Sequence, residues 1–465
     1  MKNAKLKGSI TEGPIFSKLF FFTVPIILSG LLQVAYNMAD NIVVGRFSGD
    51  ELALAAVGST ASLTTLIVNF LMGFATGSGV VIAQAFGAGD KGRTSRSIYT
   101  AIGLSFVGGV IFAVAAFALS SPLLTLMKTK SDVFDKALLY FRIICVGIPA
   151  STVYNFGSAS LRALGNSKTP LYILSLSGLL NVILNLFFVI VCGMSVDGVA
   201  TATVVSQYLS AVAVLLILFK SSVGEINLDY RKIKIEAGIF ASITKIGLPA
   251  GIQSALFSIA NIFLTSATNT LSTLEVSAKT IAFNIDGLVY TAMDGYLHSS
   301  MTFVGQNYGA RKIERIKKSI LYAIIQVATV GIVLGQLITL FCPEIVSLYI
   351  NPSDPNFEAV SSYAVELSRF ILSVYFMCGI MNTLSGSLRG LGRSVIPMVI
   401  GIFSSCVIRL IWIYGFFFPF EKFHSLVGLF YCYPISWIFA ILALVISLLA
   451  VWKPVKRKLA EATYE

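Results

Sequence analysis

Asp40 stands in VAYNMADNIVVGRF, residues 34–47, with apolar sequence on both sides. A carboxylate at the centre of a bilayer costs roughly 2.5–3.5 kcal/mol on insertion scales, so its retention marks a functional group. Gln33, Asn37 and Asp40 fall at i, i+4 and i+7, one face of a helix, with Tyr36 beside them. Further along, Asn181 and Asn185 are one turn apart in NVILN, and Thr203 lies in GVATATVVSQ. These groups lie at comparable depth in separate apolar stretches and can converge. A carboxylate, two amides and a hydroxyl suit either a proton exchanged at Asp40 or a small hard cation such as sodium. A second cluster is NIDGLVYTAMDGYLH, residues 284–298, where Asp286, Tyr290 and Asp294 are spaced i, i+4, i+8. Two acids and an aromatic on one face attract a lipophilic cation by charge and cation–π contact. The alternative is that these acids pair with Lys279, Arg369 or Arg409 and hold helices together. Glu366 and Arg369, at i and i+3, are expected to pair with each other. His298 either titrates or fills a hydrogen-bonded packing role.

These residues must be carried on membrane-spanning helices. The chain is 56% hydrophobic and 12% charged, with mean hydropathy +0.84. A span needs about 20 apolar residues, and twelve candidates are present, near 16–44, 53–82, 97–120, 136–161, 169–192, 198–220, 240–268, 277–305, 318–341, 359–386, 395–418 and 426–452. The predicted fold class is an all-α polytopic membrane protein of twelve transmembrane helices. The opening MKNAKLKG and its apolar run read as the first span, because the run is too long for a signal peptide and no small-residue cleavage site follows. The formal charge is +12, yet it reports topology. With the N-terminus inside, only Arg46, Lys128, Lys130, Lys136, Lys279 and Lys422 fall on outer loops. Arg142, Arg369 and Arg409 fall within spans, and every other Lys and Arg is on the inner side, as at 311–318 and 389–393. Both termini are therefore expected in the cytoplasm of a multi-pass protein of the plasma (inner) membrane, with no nucleic-acid partner. The six cysteines show no CxxC spacing, which excludes a disulfide framework or zinc site from consideration.

The chain repeats itself. SASLRALGNSKTP at 158–170 recurs as SGSLRGLGRSVIP at 385–397, and AQAFGAGDKGRTSRSI at 83–98 as GQNYGARKIERIKKSI at 305–320. Pro25 has Pro249, Asn37 has Asn261, Pro122 has Pro343 and Arg142 has Arg369 at similar offsets. Two six-span copies follow: 1–220, a cytoplasmic linker at 221–239, and 240–465. Because six is even, they share one orientation and are related by an axis along the membrane normal. Such an arrangement suits alternating access. Gly73 and Gly77 offer a small-xxx-small face for close helix contact. Pro25 frees a carbonyl inside the helix that carries Asp40 and permits a bend there.

The set YNMADNIVVGRF…ELALAAVG, QAFGAGD, SLRALGNSKTP and NVILN…GVATATVVSQ resembles, in register over the whole chain, the multidrug and toxic compound extrusion (MATE) transporters, nearer the DinF-like than the NorM-like branch. The resemblance implies a V-shaped two-lobe exporter of amphipathic, mainly cationic compounds in exchange for protons or sodium ions. Under it, Asp40, Asn181, Asn185 and Thr203 are the ion-coupling set, and Gln33, Tyr36, Asn37, Asp286, Tyr290 and Asp294 meet substrate. Asn185 departs from the aspartate common in the proton-coupled branch, and Phe257 stands where the sodium-coupled branch carries a glutamate. Offsets of 222 to 224 from Asp40 land on Ile262, Phe263 and Leu264, so the second copy does not repeat the acid. No cofactor beyond the coupling ion is expected, and nothing demands more than a monomer.

An intramembrane enzyme would need a nucleophile–base pair, HExxH or a GxGD-type motif, and the spans hold none. A flippase for lipid-linked oligosaccharides shares the two-lobe plan and is the alternative function. Its pyrophosphate substrate calls for a cationic cavity, whereas Asp40, Asp286, Asp294 and Glu366 outnumber the in-span arginines.

Overall fold

The computed structural model describes residues 10–50, 52–220, 226–350 and 355–461, apart from the side chains at 458 and 460. Lys2, Lys5, Lys7 and Lys458, used in the charge argument, and linker residues 221–225 lie outside the described set. Among the described residues there is no strand, and twelve long helices succeed one another: α1 Ile15–Phe47, α2 Ala53–Gly87, α3 Lys91–Ala118, α4 Ser131–Ala163, α5 Lys168–Val191, α6 Val196–Lys220, α7 Ala237–Thr268, α8 Thr273–Gly309, α9 Ile313–Leu340, α10 Phe357–Gly390, α11 Val395–Phe417 and α12 Leu426–Arg457. Eleven are long and apolar enough to cross a membrane. The exception is α8, in which Asp286, Asp294, His298 and a Ser/Thr-rich stretch lower the hydropathy. Its polar residues are directed inward: Ser299, Ser300, Gln306 and Asn307 are fully buried. Elsewhere large apolar side chains such as Leu176, Val114, Ile446 and Leu449 stand exposed along helix faces, the pattern expected where lipid is the solvent.

Local signals set the helix ends, and the two copies use the same ones. After α2 the N–H of Asp90 reaches back to Ala85 O, and after α4 that of Asn166 reaches Leu161 O. In the second copy Lys312 N bonds Asn307 O and Arg393 N bonds Leu388 O. Each is the six-to-one bond of a left-handed helix stop, which favours glycine because no Cβ obstructs it. Gly89, Gly165 and Gly392 occupy it with φ of 73°, 91° and 77°, but after α8 the position is Arg311, at 57°. The duplication also extends to features below the reach of hydropathy. A short helix follows α3 (Ser120–Leu126) and α9 (Cys342–Ser347). A π-helical stretch interrupts α5 (Phe187–Val191), and two interrupt α11 (Phe403–Ile408 and Ile413–Phe417).

By packing, the chain forms two compact units, one containing Leu28–Gly251 and the other Ile10–Ile27 with the chain from Ile252 onward. Sequence repetition divides the chain in the linker, whereas packing divides it two residues beyond Pro25 in α1 and two beyond Pro249 in α7. The reason is an exchange of half-helices. In the first unit the leading half of α7 lies on α2 backbone to backbone. A Cβ on Gly73 would meet Gly251 Cα at 2.6 Å, and one on Gly77 would meet Gly247 N at 2.6 Å. The small-residue face expected of α2 thus has a glycine pair as its partner. In the second unit the leading half of α1 lies on α8, with Thr23 Oγ1 2.8 Å from Ser299 Oγ and Gly295 against Ile27. The described end of the linker is held along α3. Asp229 N donates to the Tyr99 hydroxyl, Glu236 N to Thr100 Oγ1, and Arg96 pairs with Glu236 at 3.3 Å.

Candidate functional site

In the first unit α1, α5 and α6 bring the four expected polar groups together. Asn181 and Asn185 are one turn apart on α5, both buried, and the π-helical stretch begins two residues beyond Asn185. Such widened turns often mark functional positions, because they displace the helix register locally. Asn185 Nδ2 donates to Asp40 Oδ1 and lies 3.4 Å from Asn181 Oδ1. Thr203 Oγ1 is 3.0 Å from Val199 O and 3.4 Å from Asp40 Oδ2, and Asn181 Nδ2 approaches it at 3.4 Å. The hydroxyl carries one proton, so it cannot donate to both Val199 O and Asp40 at once. Its shorter bond, to Val199 O, leaves its lone pairs available toward Asp40. Tyr140 of α4 is within electrostatic reach of Asp40.

This arrangement turns the Asn185 amide nitrogen toward the acid, while the Asn181 nitrogen is directed at Thr203. A sodium ion would want oxygens there, and it would require the Asn185 amide to reverse so that its Oδ1 turned to the ion. Asn185 Oδ1, buried and without a hydrogen-bond partner, is an oxygen such a reversal would recruit. Among the described residues no cluster of three His, Cys, Asp or Glu is placed to hold a metal.

The rest of the α1 face divides. The Tyr36 ring lies over Gly178 of α5, where any Cβ would overlap it, and its hydroxyl donates to Ser175 O at 3.1 Å. Gln33 and Asn37 are exposed and do not join the Asp40 network.

Ten residues beyond Asp40, Asp50 gathers three turns. It accepts from Lys136 Nζ at 2.6 Å on each oxygen, from Ser195 Oγ at 2.8 Å and from Leu52 N at 3.1 Å. The α1–α2 turn, the start of α4 and the α5–α6 turn are thereby tied together. The Lys136 ammonium, helped by Ser195 and the Leu52 N–H, holds the Asp50 carboxyl below the usual carboxylate range against the opposing effect of burial.

In the second unit the α8 triplet does not act as one face. Asp286 is 4% exposed with Oδ1 unpaired, whereas Tyr290 is 38% exposed. Asp294 Oδ2 meets His298 Nε2 at 3.5 Å. Asp286 and Tyr290 are only about 40° apart round the helix, so the edge of burial cuts between neighbours on one face. The alternative pairing is also absent: no ion pair joins Asp286 or Asp294 to Lys279, Arg369 or Arg409 among the described residues. Lys279 instead donates to Thr265 Oγ1 and lies over Phe283. Nor do Glu366 and Arg369 pair. Both are exposed, and a pair in such a position gains little over hydration.

The family model of MatE matches the chain twice, over residues 25–187 and 249–414. The chain belongs to the MatE family. The two matches begin at Pro25 and Pro249, so the MatE unit is the repeat. The chain is 28% identical over 399 residues to the probable multidrug resistance protein YoeA of Bacillus subtilis, covering 84% of each. It is 25% identical over 416 residues to the probable multidrug resistance protein NorM of Thermotoga maritima, covering 88% of this chain and 87% of the relative. Its fold matches a solved MATE structure in complex with MaD3S, with TM-score 0.88 and 22% identity over 98% of this chain and 100% of that one.

Three features of this MatE protein escaped the sequence reading. Asp50 sits in a polar turn, and only contacts with Lys136 and Ser195, 86 and 145 residues away, distinguish it. The slot for Tyr36 carries a faint signal, the single glycine in SLSGLLN. Arg389, counted with the inner loop, is 6% exposed near the end of α10 and donates from Nη2 to Gln253 Oε1 at 2.7 Å. Hydropathy places a terminal arginine in water, whereas here a glutamine on α7 draws it inward.

Proposed function

We propose that this MatE protein is a multidrug efflux antiporter that exchanges a proton at Asp40 for an amphipathic, mainly cationic compound. The network around Asp40 carries the reading. A useful proton carrier must be accommodated both charged and neutral. Ionised Asp40 receives Asn185 Nδ2 on one oxygen. Protonated on Oδ2, it can donate to Thr203 Oγ1, whose own proton stays on Val199 O. Neither state leaves the carboxyl without partners. Proton entry at Asp40 would add a hydrogen bond to Thr203 on α6 and weaken the charge-assisted one from Asn185 on α5, and Tyr36, one turn before the acid, links that change to the open face with Gln33 and Asn37. In the second unit Tyr290 and Asp294 meet the compound, and Asp286, buried, supports α8. The membrane potential contributes about 2.3 kcal/mol per charge per 100 mV.

The Asn185 amide nitrogen turned to Asp40 favours the proton over sodium, and Phe257 in place of a glutamate favours the DinF-like branch. The reading takes the protein as a monomer in the plasma membrane with both termini cytoplasmic and no cofactor. The test is efflux of a fluorescent cationic dye from proteoliposomes. A pH gradient should drive it in the wild type and not in Asp40→Asn. Sodium-driven efflux would reassign the cluster to the metal ion. No dye movement under either gradient refutes drug export and brings lipid-linked substrates forward.

A further inference from the structure

Two arginines of the second unit are buried without a carboxylate. Arg409, on α11, is 2% exposed, and its guanidinium lies 4.2 Å from the Tyr433 ring centroid and 5.4 Å from that of Phe257. The rings cover its faces, and its Nε and Nη1 have no hydrogen-bond partner. Arg389, on α10, is tied by Nη2 to Gln253, and its Nε is also unpaired. Gln253 and Phe257 are i and i+4 on α7, so both guanidinia come to one face of that helix about a turn apart. Tyr290 is within electrostatic reach of both. Asp294 is within reach of Arg389, yet no carboxylate lies within 4.0 Å of either arginine among the described residues. A buried cation short of acceptors is costly, and each orphaned N–H on a charged group forgoes a strong bond. Every unpaired atom on these two side chains is a donor. The missing complement is therefore an acceptor bearing negative charge, and the rings of Tyr433 and Phe257 border it with apolar surface.

We infer that Arg409 and Arg389, on the Gln253–Phe257 face of α7, form a site for the oxyanion of an amphipathic aromatic compound, a carboxylate or a phosphate ester. The inference takes the second unit to face the ligand, as the proposed function does, but it assigns that unit a group of opposite charge. A compound bearing both signs would set its anion here and its cation toward Asp294.

The test is calorimetric binding to purified full-length protein in detergent, with no ion gradient. The probes are 2-naphthoate, 2-naphthyl phosphate and neutral 2-naphthamide. One or both anions should bind at least about tenfold more tightly than the amide, and which one does so identifies the source of the oxyanion. Arg409→Gln and Arg389→Gln should each remove that preference, and Arg409→Lys should keep part of it. Equal affinity of the wild type for all three probes overturns the inference, whatever the variants do. So does an anion preference that survives Arg409→Gln or, if that variant does not fold, Arg389→Gln. Because no gradient is present, failed dye efflux leaves a positive result standing, and a negative result leaves the efflux reading intact.

Discussion

Gly178→Ala is expected to disturb the Asp40 site through Tyr36 alone. The added Cβ would overlap the Tyr36 ring, and the three heavy atoms nearest to it all belong to that ring. The ring must leave its slot and release Ser175 O, at present 3.1 Å from its hydroxyl. Overpacking of this kind costs about 1–3 kcal/mol, and the lost hydrogen bond adds about 0.5–1.5 kcal/mol. The sum, about 2–4 kcal/mol, disappears once the ring is gone. In a Tyr36→Ala background the same substitution should be neutral or gain up to about 1 kcal/mol from helix propensity. A double-mutant cycle on unfolding in mixed micelles measures the coupling, expected at about 2–4 kcal/mol. Dye efflux measured alongside should fall in both Gly178→Ala and Tyr36→Ala, because both empty the slot one turn from Asp40. Additivity within about 0.5 kcal/mol would mean that the glycine serves something other than the ring, and the slot argument would fail.

Other perturbations separate close contact from open space. Gly77→Ala should destabilise by about 1–3 kcal/mol, since its Cβ would face Ile243 O at 2.5 Å and Gly247 Cα at 2.7 Å with no side chain able to yield. Gly58→Ala, on the same helix with nothing within 4 Å, should be neutral or stabilising, and thermal unfolding in detergent compares the two. Arg311→Gly should stabilise by about 1 kcal/mol, because it relieves a left-handed residue at φ 57°; an unchanged or lower melting point would refute the strain. Asp50→Asn should cost about 1 kcal/mol or less at pH 7, Lys136 being partly exposed and screened. Since the folded state lowers the Asp50 pKa, its contribution is present above the unfolded carboxylate pKa of about 3.9 and is lost as pH falls through the lower folded value. The stability gap between wild type and variant should therefore narrow below about pH 4. A gap constant with pH would mean that the clasp is not ionic.

The fold was legible where each residue answers to its own neighbours along the chain. Glycines 89, 165 and 392 announce helix stops because a left-handed turn tolerates few other residues, and the repeat is visible because both copies keep those stops. Asp40, Asn181, Asn185 and Thr203 were legible for a related reason: a polar group in an apolar run must find another, and helical depth limits the choices. The rest depends on partners distant in sequence. Nothing near Pro25 or Pro249 says that the half-helix before it packs on a helix of the other copy. Nothing near Arg389 says that Gln253 will draw it out of the inner loop. The i, i+4, i+8 spacing of Asp286, Tyr290 and Asp294 identified a helix face but could not say where burial would cut across it.

The divergence of the copies is one of side-chain chemistry on a shared backbone plan. The fifth helix of the first copy, α5, carries Asn181 and Asn185 before its π-helical stretch and meets an acid from α1. The fifth helix of the second, α11, carries Arg409 between two such stretches and meets rings from α7 and α12. In one unit a carboxylate has an amide donor; in the other, guanidinium N–H groups of Arg409 and Arg389 lack acceptors. A half-buried carboxyl held by a donor of its own protein, as Asp40 is by Asn185, can change state by gaining or losing a proton. Arg409 has its faces covered by two rings and its Nε and Nη1 unpaired, which is the place the inferred oxyanion would fill. The two proposals thus give the units different tasks, proton exchange in the first and ligand discrimination in the second. An Asp40 variant should accordingly lose coupling while still binding aromatic ligands, and an Arg409 variant should change which ligands bind while the proton requirement persists.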